Sequence, residues 1–405
     1  MRPVEEVRSL ILTTVRRLEA ENVPLASAVG RVLAQDVVAP HDVPSFPNSA
    51  MDGYAVRGSD VDVAGATLEV IEEVAAGQVA ARRVGSGQAI KIMTGAAMPD
   101  GADTVVRVED TTQTGEKVEI AVATPTGTSV RSPGGDVQSG SVVFTGGTRL
   151  TAAHIGTLAT LGLAQPLVGR RPRVALMSTG DELVAPESEE LMLGMIRDSN
   201  RPMLNVAVSE AGADVLDMGT VPDDADSLRA ALGEAAAEGD SIVTTGGVSM
   251  GEFDVTKAVL IEEAGVEFFP VAMKPGKPQG FGVIGGTPFF GLPGNPVSVF
   301  VSFEQFVRPA LLAMQGANRL LRPRMQAVAG ETFESDPAKE EFIRVTLDES
   351  LPPVVRQVGG RGSHVLSGLA GADAFGVVPV GIARIEEGSE MIVEMFKAVE
   401  SRPIP

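Results

Sequence analysis

Apolar positions along the first residues recur at Val7, Leu10, Ile11, Val15 and Leu18, the spacing of one helix face, so Glu5–Leu18 is expected to be an amphipathic helix. A short helix at Leu25–Gly30 and an extended piece over Arg31–Val38 follow, and then Pro40, Pro44 and Pro47 punctuate a connection. From Ser49 to about Gly140 the pattern shortens to β-type runs between glycines. Leu68–Val74, Ala89–Ile92, Thr104–Arg107 and Lys117–Val122 are the candidate strands. Thr151–Leu161 returns to helical spacing through Ile155, Leu158 and Leu161.

Beyond Arg173 the pattern alternates. Val174–Met177, Asp214–Gly219 and Ser241–Thr244 have the character of buried strands. Asn200–Ala211, Asp223–Glu238, Val255–Ala264 and Ser298–Met314 have that of helices. Such alternation predicts a parallel α/β sheet with helices on its faces. The remainder turns β-like again, at Phe342–Leu347, Ala374–Val380 and Glu390–Phe396.

A chain of 405 residues exceeds what one core usually supports. Four domains are expected: 1–47 with 141–170, an inserted β-rich domain 48–140, an α/β domain 171–320, and a C-terminal β domain 321–405. Net charge −20 and a pI near 4.6 argue against a general nucleic-acid binder. A phosphorylated ligand must then be held by a local basic pocket. Without cysteine there are no disulfides, thiolate metal sites or thiol nucleophiles. His41, His154 and His364 are far apart, so any metal is expected to be a hard ion on carboxylates. The N-terminus lacks the features of a signal peptide and no run approaches a membrane span, so a cytoplasmic protein without membrane contact is expected.

In a parallel sheet, ligands bind beyond the carboxyl ends of the strands. The loops STGDEL (Ser178–Leu183), GTVPDD (Gly219–Asp224), TTGGVSMGEFD (Thr244–Asp254), MKPGKP (Met273–Pro278) and GLPGNP (Gly291–Pro296) fall at such ends, and together they predict a cleft on one rim. Lys274 and Lys277 sit within four residues in a lysine-poor chain, and suit a phosphate or another oxyanion. Gly246 and Gly247 either offer backbone N–H groups to phosphate or simply form a tight turn. No GxxxxGK[ST] or GxGxxG fingerprint is present. Asp181, Glu182, Asp223, Asp224 and Asp254 bring acids to the same loops, which suggests Mg²⁺ between carboxylates and phosphate. For Asp223 or Asp224 an N-cap role is an equal alternative. Asp52 in NSAMDGYAVR, Thr94 in IMTGA and Asp136 in SPGGDV lie in the β-rich stretch. Arg344 in EEFIRV, and Arg361 with Ser363 in GGRGSH, are weaker signals.

The ordered set NSAMDGYAVR, IMTGA, STGDEL, TTGGVSMGEFD, VAMKPGKP and GLPGNPVS resembles the molybdopterin molybdenumtransferase family, relatives of the gephyrin C-terminal domain. The resemblance covers essentially the whole chain. It implies a multidomain α/β protein in which a three-layer domain like molybdopterin adenylyltransferase carries additional β-rich and mixed domains. It also implies a homodimer with its cleft between that domain and the partner's β domain. The implied reaction takes adenylylated molybdopterin and molybdate, with Mg²⁺, to molybdenum cofactor and AMP. Molybdopterin adenylyltransferase and molybdoenzymes are the implied protein partners.

By position, the resemblance implies that Asp52, Thr94 and Asp136 face the cleft. Ser178, Glu182, Asp223, Gly246, Gly247 and Asp254 belong to the α/β domain, with Glu182, Asp223 and Asp254 as metal ligands. Lys274 and Lys277 meet phosphate or molybdate, Pro293 and Pro296 shape the pocket, and Arg344 and Ser363 come from the C-terminal domain. Asp52, Glu182, Asp254, Lys274 and Lys277 are the implied catalytic set. Two positions depart from the family pattern: Pro270, where a basic residue is common, and Gly135, where an acid is common. An adenylyltransferase acting one step earlier and a noncatalytic gephyrin-like scaffold are the competing functions. Tungstate in place of molybdate is not separable by residue chemistry.

Overall fold

The computed structural model describes residues 1–246, 259–261 and 265–397. The chain forms two compact units. Residues 1–34, 146–151 and 166 onward make one, and residues 35–145 with 152–165 make the other.

In the first unit, α1 (Val4–Thr14) buries Val4, Val7 and Ile11. The sheet that follows contains β1 (Arg173–Thr179), β2 (Asp214–Val221), β3 (Ser241–Thr245), β4 (Glu267–Pro270), β6 (Pro278–Ile284) and β7 (Thr287–Leu292). A two-residue strand, β5 (Met273–Lys274), lies between β4 and β6 in sequence and pairs elsewhere. The order is β2-β1-β3-β7-β6-β4. The first four strands are parallel. The sheet is not wholly parallel as the alternation predicted: β6 runs antiparallel to β7, and β4 antiparallel to β6. The turn at Gly285 and Gly286 is too short for the crossover that a parallel connection needs.

Side chains alternate between the two faces. Val174, Leu176, Val243 and Phe290 pack on one side with α2 (Asn200–Glu210) and the long helical run from Pro296. Ala175, Met177, Ile242 and Phe289 pack on the other with α3 (Ala225–Glu238). This is a three-layer arrangement, and each fully buried large side chain contributes about 1.5–3 kcal/mol. The long run comprises α4 (Pro296–Ser302), a π-helical turn (Phe303–Val307) and α5 (Arg308–Met314). It is apolar because it fills the core; most of it is buried.

A second sheet completes this unit: β8 (Arg324–Ala329), β9 (Glu340–Leu347), β10 (Val354–Gln357), β11 (Ala374–Val378) and β12 (Glu390–Met395), with α6 (Leu366–Ala370) before β11. Strand β11 pairs with both β12 and β9, which closes the five strands into a ring. The short β5 pairs in parallel with β9, setting Lys274 opposite Glu341.

The other unit is built on a six-stranded sheet that includes Gly53–Val56, Ala66–Val74, Gln88–Ile92, Thr104–Arg107 and Lys117–Ile120. Tyr54 is buried in it, and its hydroxyl donates to Gln113 Oε1 at 2.7 Å. Burial pushes the Tyr54 phenol up.

Candidate functional site

The carboxyl ends of β1, β2, β3 and β7 share one rim of the sheet. Because β6 is antiparallel to β7, with Gly280 opposite Gly291, the segment before β6 arrives at that same rim. Four of the loops named above therefore share this rim, with the lysine turn reaching it at the start of its strand; the TTGGVSMGEFD loop beyond Gly246 lies outside the described residues.

At the rim is a cavity of about 290 Å³. Lys274, Pro275, Gly276 and Pro278 form one wall; Asn295, Val297 and Ser298 another; Glu341 to Arg344, Gln357, Arg361 and Ser363 the third. The size is at the small end of ligand sites, about 300–1,000 Å³. Lys274 Nζ lies 2.9 Å from Glu341 Oε1. Lys277, on the same turn, is exposed and does not line the cavity.

The lysine turn is held from beneath. Gln279, buried, donates through Nε2 to the carbonyl of Gly276 and to Ser302 Oγ, both at 2.6 Å. Gly276 has φ +101°, and a Cβ there would stand 2.9 Å from Ser302 Oγ, so glycine is required. The opposite wall hangs on Arg344. Its guanidinium donates to the carbonyls of Val365 (2.6 Å), Gly360 and Gly362 (3.3 Å). Arg344 is 5% exposed, and burial pushes its pKa down. Among the described residues no carboxylate pairs with it. Ser363 links the two walls through its carbonyl, which accepts the Val297 N–H at 3.0 Å.

Along the rim from this cavity, Pro293 is buried and its carbonyl accepts Thr245 Oγ1 at 3.3 Å. Pro296 occupies the first turn of α4, where its missing N–H costs nothing. Asn200 Nδ2 ties Thr245 Oγ1 (2.9 Å) to the carbonyl of Gly294 (2.6 Å). Ser178 is fully buried, and its hydroxyl donates to Asp198 Oδ2 at 2.6 Å, so it supports the rim from within. Asp198 also accepts the backbone N–H groups of Asn200 and Arg201, each at 3.1 Å. Gly246 has φ +92°, and a Cβ there would meet the Thr179 carbonyl at 2.3 Å.

Glu182 and Asp223 are exposed at the rim. The Asp223 N–H donates to Asp181 Oδ1 at 3.2 Å, joining their two loops. Asp224, not Asp223, is the N-cap of α3: its carboxylate accepts from Ser227 N (2.9 Å) and Asp226 N (3.1 Å), and hydrogen bonding from the Ser227 side chain first, then from these backbone groups, holds its pKa down. Gly247 and Asp254 lie outside the described residues. Among the described residues no three acids or histidines come together as a metal cluster.

In the other unit, Asp52 Oδ1 accepts the Thr94 N–H at 2.6 Å and the Thr94 hydroxyl at 2.8 Å. These two bonds, the backbone one first, hold the Asp52 carboxyl below its ordinary value. Asp136 lines a hollow with Val43, Val137 and Thr157.

Sequence reasoning missed Glu341, Asn295 and Gln357 as cavity residues, and Asp198 with Asn200 as rim supports. Glu341 carried no signal: it stands three residues before Arg344 on an alternating strand, a spacing that nominally puts the two on opposite faces. For Asp198 and Asn200 the sequence offered only the helix expected from Asn200.

Three family models match: the MoeA N-terminal region (domain I and II) over residues 2–162, a probable molybdopterin binding domain over 175–313, and the MoeA C-terminal region (domain IV) over 326–396. The chain is 40% identical to molybdopterin molybdenumtransferase 2 of Mycobacterium tuberculosis, covering 97% of this chain and 99% of that one. It is 36% identical to the molybdopterin molybdenumtransferase of Haemophilus influenzae over 93% and 94% of the two chains. The crystal structure of the molybdopterin biosynthesis moeA protein from Pyrococcus horikoshii OT3 superposes with TM-score 0.86 at 32% identity, covering 98% of this chain and all of that one.

Proposed function

Since the chain belongs to the MoeA family of molybdopterin molybdenumtransferases, we propose that it transfers molybdenum from molybdate to adenylylated molybdopterin, releasing AMP and molybdenum cofactor. The observation that carries this reading is the cavity lined by Lys274, Arg344 and Arg361, which is roomy enough to admit a tetrahedral oxyanion. Lys274 binds the oxyanion and offsets charge that grows as the phosphate link is cleaved. Arg344 acts as a positioning residue: by holding the carbonyls of residues 360–365 it fixes Ser363 and Arg361 around the anion. The cation turn is rigid before ligand arrives, since Gln279 and Ser302 hold Gly276, and that limits the reorganisation needed on binding.

Magnesium commonly takes one or two protein carboxylates and completes its shell with substrate phosphates and water. Glu182 and Asp223, exposed on adjoining loops, suit that role, with Asp254 assigned to it by position. Bound there, the ion would neutralise pyrophosphate charge. The attacking group is an oxygen of molybdate or water, so no protein nucleophile is required, in keeping with a chain that has no cysteine. A cytoplasmic homodimer, with the adenylyltransferase before it and molybdoenzymes after it, belongs to the same proposal.

The test is molybdate-dependent AMP release from adenylylated molybdopterin with Mg²⁺, following cofactor formation in the same reaction. Coupled AMP and cofactor production is expected. AMP release that ignores molybdate, or none with bound substrate, would overturn the proposal.

A further inference from the structure

We infer that Glu341 determines which oxyanion the cavity accepts, an inference that rests on reading the cavity as an oxyanion site. An acid in such a place requires a reason. Glu341 is 4% exposed and faces Lys274 in the register of β5 and β9. Its Oε1 holds the ammonium at 2.9 Å. Its Oε2 is buried and has no hydrogen-bond partner among the described residues. Glu341 is among the residues that line the cavity with Arg344, Arg361 and Ser363. A buried acceptor left unpaired is costly, and such groups are found where a ligand or water completes them.

A carboxylate paired with an ammonium accepts hydrogen bonds and donates none. What completes Oε2 must therefore carry a proton. Tetrahedral oxyanions differ in this respect. Sulfate is the base of a strong acid and holds no proton near neutrality. Hydrogen phosphate holds one, and the oxygens of molybdate are far more basic than those of sulfate. Against sulfate, Oε2 sets lone pairs against lone pairs. Against a protonated oxygen it makes a charge-assisted hydrogen bond. Lys274, Arg344 and Arg361 attract all such anions alike, and Glu341 supplies the repulsive element on which discrimination depends. Molybdate bound in this way takes one proton from solvent, shared between its oxygen and Oε2. Nothing is oxidised or reduced.

Calorimetric titration of the full chain at neutral pH with molybdate, inorganic phosphate and sulfate tests this, in two buffers of different ionisation enthalpy. Molybdate is expected to bind at least tenfold more tightly than sulfate, with net proton uptake. Glu341→Gln, whose amide donates to any oxyanion, is expected to bring the two within about threefold and to abolish the uptake. Phosphate that binds more tightly than molybdate, without uptake, supports the same role with a phosphoryl group as the occupant. Wild-type protein that binds sulfate as tightly as molybdate overturns the inference, even where the variant does not fold. An unchanged ratio in Glu341→Gln overturns it too, and leaves Glu341 as a tether for Lys274. Wild-type protein that binds none of the three anions overturns the oxyanion reading itself.

Discussion

The first unit buries arginine in two different ways. In the π-helical turn, Glu304 is 3% exposed and accepts from Arg322 Nε at 2.8 Å and Nη2 at 2.9 Å, with Arg308 Nε at 3.9 Å. Next to it, Gln305 accepts from Arg8 at 2.6 Å and donates to Glu394 at 2.5 Å, and Glu394 accepts from Arg324 at 2.9 Å. Cations there face acids. Even so, burial, reinforced by the charge of Arg322, lowers Arg308 to about 10. At the cavity, Arg344 is about as buried, yet its partners are carbonyls. Carbonyl dipoles orient a guanidinium without cancelling its charge. The first arrangement is a balanced structural network. The second leaves positive potential beside an open volume, and that difference, more than burial alone, separates a binding site from a scaffold.

Breaking the balanced network should have the largest effect. Glu304→Ala leaves Arg308 and Arg322 without their acid, and about 3–5 kcal/mol of stability should be lost. Denaturant unfolding measures it, and a loss below about 1 kcal/mol would show that the network does not balance those charges. Lys274→Ala acts on the other side of the comparison. Hydrogen bonds to charged groups contribute about 1.5–3 kcal/mol, so oxyanion affinity should fall roughly 10–100-fold. Titration with molybdate reads this directly, and unchanged affinity would remove Lys274 from the site. Arg344→Lys keeps the charge but loses the planar fork, so one ammonium cannot hold three carbonyls. Molybdate binding should weaken by about tenfold, with slower AMP release and little change in unfolding midpoint; a large midpoint shift would instead place Arg344 with the structural arginines.

The smallest effect belongs to the other unit. Thr94→Val removes the hydroxyl bond to Asp52 and keeps the backbone one, so the Asp52 carboxyl should titrate at higher pH than in the parent, though still below its ordinary value. The folded-state pKa of Asp52 is depressed, so its linkage favours folding above the unfolded value and fades as pH falls through the folded one. Carbon-detected NMR of the carboxyl follows it, and an unmoved titration would mean that the Thr94 hydroxyl does not stabilise the carboxylate.

Much of the fold was legible because burial follows short-range periodicity. The strands at Thr104–Arg107 and Ala89–Ile92 and the helix from Asn200 formed within a residue or so of their expected limits. The misjudged limits have tertiary causes. The first helix stops at Thr14 although apolar spacing continues to Leu18, because the Leu18 N–H donates instead to the Met314 carbonyl at 2.8 Å. The third helix of the α/β layer begins after Asp224 because only that carboxylate reaches the orphan N–H groups of Asp226 and Ser227. In the site, the lysine turn and the glycine loops were visible as motifs, whereas Glu341 was not, since an acid on a strand ordinarily faces water.

Local chemistry was sufficient to specify the three-layer alternation, the polar loops on one rim, the absence of thiol chemistry and the family. Those properties depend on spacing and residue type within a few positions. The cavity is a different matter. Lys274 meets Glu341 only because β5 leaves its own sheet to pair with β9, and Arg344 reaches the loop at 360–365 only through the register of that strand. Distant segments share a site by strand pairing and core packing, and no local pattern encodes which side chain will find itself buried with one oxygen unpaired.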